Sequence, residues 1–158
     1  MKNFAHDVRI IAAEDSAYFK MNLGGHGFCG CSDDAMDVKD RIIIALDVPD
    51  AAGARKLIDT LGDAAVYYKV GLELYTAAGE EVLDMLRAAG RKFFLDLKLF
   101  DIPNTVKRAA SSIAEKGAAL TTIHTLGGLE MMKAAVQGVA SAGDKAPAVL
   151  GVTILTSL

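Results

Sequence analysis

The chain has 158 residues, 52% of them hydrophobic and 23% charged, with a net charge of −3. That balance fits one domain with a real core and excludes a disordered chain or a polybasic nucleic-acid binder. No apolar run approaches the roughly 18–20 residues needed to span a bilayer. Residues 1–20 carry Asp7, Glu14 and Asp15 where an export signal needs an apolar stretch, and two cysteines make no disulfide framework. The expected setting is therefore a reducing cytoplasm, with neither a membrane nor a nucleic acid as partner.

Residues 1–40 stand outside any repeating pattern. Gly24-Gly25-His26-Gly27-Phe28-Cys29-Gly30-Cys31-Ser32 is glycine-rich and is followed by Asp33, Asp34, Asp37 and Asp40, so a poorly ordered extension is expected. His26, Cys29 and Cys31 lack both a fourth ligand and the usual two-to-four-residue cysteine spacing of zinc sites, and no metal centre is assigned to them.

From residue 41 to 158 two kinds of segment alternate. Short runs rich in Ile, Val, Leu, Tyr and Phe at 41–47, 65–71, 92–98, 119–125 and 148–155 read as strands. Helical patterns lie between them at 50–61, 74–89, 104–116 and 128–142, with Gly62, Gly90, Gly117 and Gly143 placed as stops. Strand–helix–strand units at this spacing predict a parallel α/β sheet. Two architectures compete, an open doubly wound sheet and a (β/α)₈ TIM barrel.

Polar residues at the strand ends favour the barrel. Asp47, Lys69 and the Asp96/Lys98 pair fall at the C-terminal ends of successive strands, with His124 and Thr156 at comparable positions. Barrels build their sites at that end from several strands at once. An open sheet uses one switch point and usually a glycine-rich turn after its first strand, whereas here Val48-Pro49-Asp50 follows. About five strands and four helices, against eight of each, read as an incomplete barrel and as the first part of a longer protein.

The segment from 96 to 105 is the most informative. After Arg91-Lys92-Phe93-Phe94-Leu95, strand alternation puts Asp96 and Lys98 on one face and Leu95, Leu97 and Leu99 on the other. A buried acid and base two residues apart are costly unless paired or useful. Alone they could be a structural ion pair; with Asp47, Lys69 and Asp101 nearby they read as a site. Such an array suits orientation of a hydroxylated, phosphorylated small molecule and cofactor-free acid–base or electrostatic chemistry, with no metal cluster beside it. His124 reads as a packing residue, Gly127-Gly128 as a strand-to-helix turn, and Met131 and Met132 as helix packing.

Residues 41–158 closely resemble the orotidine 5′-monophosphate decarboxylases. The resemblance rests on Ile43-Ile44-Ala45-Leu46-Asp47, Tyr68-Lys69-Val70-Gly71-Leu72-Glu73-Leu74 and the whole of 96–105. Thr122-Ile123-His124, Gly127-Gly128 and Val152-Thr153-Ile154-Leu155-Thr156-Ser157 add to it. It implies conversion of orotidine 5′-monophosphate to uridine 5′-monophosphate and CO₂, in pyrimidine nucleotide synthesis, without a cofactor. It also implies roles for single residues. Asp47 would bind the ribose hydroxyls, and Lys69 would bridge the ribose and the carboxylates. Asp96 would lie against the substrate carboxylate, and Lys98 would protonate C6. Asp101 and Thr105 would reach the partner's site in a homodimer, and Thr156, unless an ordinary strand-end hydroxyl, would contact the pyrimidine. The family's phosphate-gripping loops have no counterpart in this sequence, so a non-catalytic fragment is one alternative. A magnesium-dependent sugar-phosphate decarboxylase or synthase is another. Lys69 counts against the latter, because those relatives carry a glutamate ligand there and a cation would repel Mg²⁺.

Overall fold

The computed structural model of the protein describes residues 8–12 and 38–155. The strands are β1 (Val8–Ala12), β2 (Ile42–Leu46), β3 (Tyr67–Gly71), β4 (Lys92–Leu99), β5 (Leu120–His124) and β6 (Ala148–Val152). The α-helices are α1 (Ala51–Leu61), α2 (Leu72–Ala78), α3 (Glu80–Ala88), α4 (Pro103–Glu115) and α5 (Gly128–Val139).

Local chemistry explains most boundaries. Asp50 opens α1, its carboxylate accepting the Gly53 N–H at 2.7 Å, and Pro103 sits in the first turn of α4, where no N–H is needed. All four glycines read as helix stops adopt positive φ. The predicted helix over 74–89 is instead two helices. Gly79, at φ 55°, breaks the run and its N–H bonds back to the Tyr75 carbonyl, so the described residues hold five α-helices rather than four. The last predicted helix also stops early, at Val139, and continues as a 3₁₀ segment, Ala140–Lys145.

The six strands form one sheet in the order β1-β2-β3-β4-β5-β6. β2 to β6 are parallel and each lies beside its sequence neighbour. A doubly wound sheet reverses direction at its switch point, and this one does not, which is the progression of a barrel wall. β1 pairs antiparallel with β2, Ile10 opposite Ile44. Those five residues are an exception to the irregular structure expected over 1–40; an antiparallel edge strand carries no crossover helix, which is why it left no trace in the repeat. His26, Cys29 and Cys31 lie outside the described residues.

Strand alternation divides the side chains cleanly. Ile44, Leu46, Tyr68, Val70, Phe93 and Leu95 point to the helices and pack with Leu57, Ile58, Leu83 and Leu86 in one core. Ile123 and Val149 continue that face into a second cluster with Val106, Ala110 and Met131. The opposite face of β2 to β5 therefore carries Ala45, Lys69, Phe94, Asp96 and Thr122.

Candidate active site

Two ion pairs stand at the C-terminal ends of adjacent parallel strands. Asp47 is the first residue beyond β2, and its Oδ1 accepts from Lys69 Nζ of β3 at 3.0 Å. On β4, Lys98 Nζ donates to Asp96 Oδ2 at 2.8 Å. Asp96 and Lys69 are the sheltered members, with 12% and 13% of their side chains exposed, whereas Asp47 and Lys98 each expose 38%. Each pair thus has one charge anchored in the wall and one facing the opening.

Gly71 joins the two pairs. It lies opposite Asp96 in the β3–β4 ladder, and a Cβ built on it would stand 3.4 Å from Lys69 Nζ. The lysine therefore lies along β3 over Gly71, with its ammonium turned to Asp47 beyond β2. The order of strand ends is Asp47, Lys69, Asp96, Lys98, alternating in sign, with the first two and the last two joined as ion pairs.

The end of β4 is irregular. Between Leu95 and Leu99 its register with β5 shifts, four steps along β4 matching two along β5. Lys98 takes φ 49° there. Thr122 of β5, 2% exposed, fills the break: its hydroxyl accepts from Lys98 N at 2.9 Å and donates to Asp96 Oδ1 at 2.8 Å. Neither Thr122 nor Gly71 is singled out by the sequence as a site residue. A threonine in a strand and a glycine before a helix both have commonplace readings, and only the register break gives Thr122 its part.

Asp101 follows on the exposed β4–α4 loop, where its Oδ1 accepts the Ile102 N–H at 2.6 Å. Lys98, Asp101 and Thr105 share the lining of a cleft of about 310 Å³ with Phe100 and Val106. Asp101 is thus brought near the base but is not hydrogen-bonded to it. His124 packs its ring 5.5 Å from that of Phe100, as a strand-end packing residue would. Larger grooves of about 590 and 710 Å³ lie over α1 and α3, among Arg55, Asp59 and Glu81, away from the strand ends. No group of three His, Cys, Asp or Glu side chains suited to a metal ion occurs among the described residues. Thr156 and Ser157 lie outside the described residues.

Residues 40–158 match the family model described as "Orotidine 5'-phosphate decarboxylase / HUMPS family". The chain belongs to this family. Orotidine 5'-phosphate decarboxylase of Moorella thermoacetica is 45% identical over 127 residues, which are 78% of this chain and 50% of that protein. The enzyme of the same name from Nostoc sp. is 46% identical over 123 residues, 75% of this chain and 51% of its own. Among solved structures, Orotidine 5'-phosphate decarboxylase from Lactobacillus acidophilus superimposes with a TM-score of 0.68 at 44% identity, over 73% of this chain and 53% of that one. The enzyme from Methanocaldococcus jannaschii gives a TM-score of 0.55 at 32% identity, over 63% of this chain and 48% of that one. The chain spans about half the length of the curated relatives it matches. Its five parallel strands are accordingly part of a (β/α)₈ barrel, and the four charges occupy the mouth where such barrels carry their chemistry.

Proposed function

We propose that residues 40–158 carry the decarboxylating machinery of an orotidine 5′-monophosphate decarboxylase, forming uridine 5′-monophosphate and CO₂. The observation that carries the reading is the alternating array Asp47, Lys69, Asp96, Lys98 across three neighbouring strand ends, in a chain that matches this family. Asp47 and Lys69 bind the ribose hydroxyls. Asp96 faces the substrate carboxylate, and Lys98 faces C6 of the pyrimidine. The C6–carboxyl bond breaks with its electron pair left on C6, CO₂ departs, and an ammonium proton of Lys98 passes to C6. Water then reprotonates the amine.

The ammonium group serves the transition state more than the ground state, because negative charge at C6 develops only as the bond breaks. Asp96 keeps the ammonium beside that carbon, since Oδ2 holds Nζ at 2.8 Å. Substrate placed here meets a carboxylate on one side and an ammonium on the other, and loss of CO₂ relieves the first contact while strengthening the second.

Asp101 and Thr105 are assigned to the partner's site in a homodimer. The exposed Phe100 and Ile102, 61% and 66% accessible on either side of Asp101, support a covered β4–α4 loop. Thr156 is assigned to the pyrimidine. A cytoplasmic location follows from the metabolic reaction proposed; no helix among the described residues is long and apolar enough to cross a membrane.

A second reading, a magnesium-dependent sugar-phosphate decarboxylase or synthase, is disfavoured by Lys69, whose ammonium occupies the space beside Asp47 that a divalent cation would need. The two readings separate in one experiment. The chain is mixed with orotidine 5′-monophosphate, with and without EDTA, and the pyrimidine absorbance is followed. Metal-independent turnover that Lys98→Ala abolishes supports the decarboxylase. Turnover confined to a sugar phosphate with Mg²⁺ overturns it, and no turnover of either substrate favours a non-catalytic chain.

A further inference from the structure

Lys98 is the one non-glycine residue with positive φ among the described residues. A β-carbon makes that conformation unfavourable, so the surroundings must impose it, and such outliers concentrate at functional sites. Two contacts impose it here. With the β4–β5 ladder broken between Leu95 and Leu99, the Lys98 N–H turns to the Thr122 hydroxyl at 2.9 Å. The lysine's own ammonium returns to Asp96 Oδ2 at 2.8 Å.

The same hydroxyl also donates to Asp96 Oδ1 at 2.8 Å. A hydroxyl has one proton to give, and here it goes to the acid while a lone pair receives the base's backbone. Each carboxylate oxygen then has its own donor, Thr122 on one and Lys98 on the other, which fixes the plane of the carboxylate. Thr121 provides the contrast. Its hydroxyl bonds the Leu95 carbonyl at 3.0 Å, on the face away from the charges. Two adjacent buried threonines therefore serve different ends, one the sheet and one the charged pair.

We propose that Thr122 is a positioning residue for the Asp96–Lys98 pair, setting the backbone from which the base projects and the orientation of the acid through one hydroxyl. The inference deepens the decarboxylase reading and rests on it for the reaction concerned. Its hydroxyl is taken up by the Lys98 N–H and by Asp96 Oδ1, so it acts through those two residues.

The test compares Thr122→Val, Thr122→Ser and Thr121→Val in the full chain. With orotidine 5′-monophosphate as substrate, Thr122→Val lowers kcat about 10- to 100-fold with KM within about threefold, because misplaced groups cost the chemical step more than binding. Thr122→Ser returns kcat to within about threefold of the parent, and Thr121→Val leaves it unchanged while lowering stability. By NMR at neutral pH, Thr122→Val displaces the Asp96 Cγ and Lys98 amide resonances, and Thr122→Ser and Thr121→Val leave them in place. Parent-like kcat in Thr122→Val, or a Thr122→Ser as impaired as Thr122→Val, overturns the proposal. If the parent chain releases no uridine 5′-monophosphate, the decarboxylase reading fails, and the resonances decide the positioning role. Displacement in Thr122→Val alone supports it, and unchanged resonances refute it.

Discussion

Tyr67 begins β3 on the same face as Lys69, and burial, with the Asp40 carboxylate adding its charge, pushes its phenol up to about 12 from the usual 10.0. The folded protein keeps a proton that the unfolded chain releases above its ordinary value. Stability from this group is therefore full below about pH 10 and is lost as pH rises toward about 12. The urea midpoint should be lower at about pH 11 than at about pH 9 in the parent, and that drop should be smaller in Tyr67→Phe. At the site, the residues legible from sequence were those whose character clashes with a strand: Asp96, Lys98, Lys69 and Asp47 each place a charge where apolar residues belong. Thr122 was not legible, because a buried threonine in a strand violates nothing. Its part depends on a register break two strand neighbours create together, and no single-residue signal records that.

Among the helices, α5 packs closely across α4. A Cβ on Gly138 would come within 2.2 Å of the Lys107 carbonyl oxygen and 2.9 Å of Ala110 Cβ. The first of these is backbone and cannot swing aside, so Gly138→Ala should destabilise the protein by about 1–3 kcal/mol in chemical denaturation. Gly127→Ala makes an informative comparison. Its clash is with the flexible end of Met131, at 2.1 Å from Sδ, which can move, and the cost should be smaller.

A second inter-helix link is ionic. Glu80 at the start of α3 pairs with Arg87 and with Lys116 beyond α4, and hydrogen bonding to Lys116, then to Arg87, outweighs burial and holds its carboxyl below the usual 4.5. A lowered acid contributes stability above its unfolded value and loses it as pH falls through the folded one. Glu80→Gln should therefore lower stability at neutral pH and flatten the acid limb of the profile below about pH 4.5. The split between α2 and α3 was missed in the sequence because good helix formers flank Gly79 on both sides; it takes the positive φ at 55° to break the run.

For the molecule as a whole, the parallel progression of strands was legible because fully buried barrel strands read as short apolar runs with charges at one end. β1 was not, lacking both a helix after it and a place in the repeat. It nevertheless covers one edge of the sheet, pairing over Val8 to Ala12 with Leu46 to Ile42. Unpaired edges invite association with other chains. Ile10→Pro, at the middle of that pairing, puts a residue poorly suited to a paired strand there and should raise the self-associated fraction in sedimentation velocity. At the level of chemistry, the proposed array requires residues 40–158 to decarboxylate the nucleotide without a metal. A single-turnover experiment with carboxyl-labelled orotidine 5′-monophosphate and excess protein, in EDTA, tests it most directly. The parent chain should release labelled CO₂, and Lys98→Ala should do so at least about 1,000-fold more slowly, as when a group acting only in the transition state is removed. Label that stays on the nucleotide with the parent chain, or leaves equally fast with Lys98→Ala, would contradict it.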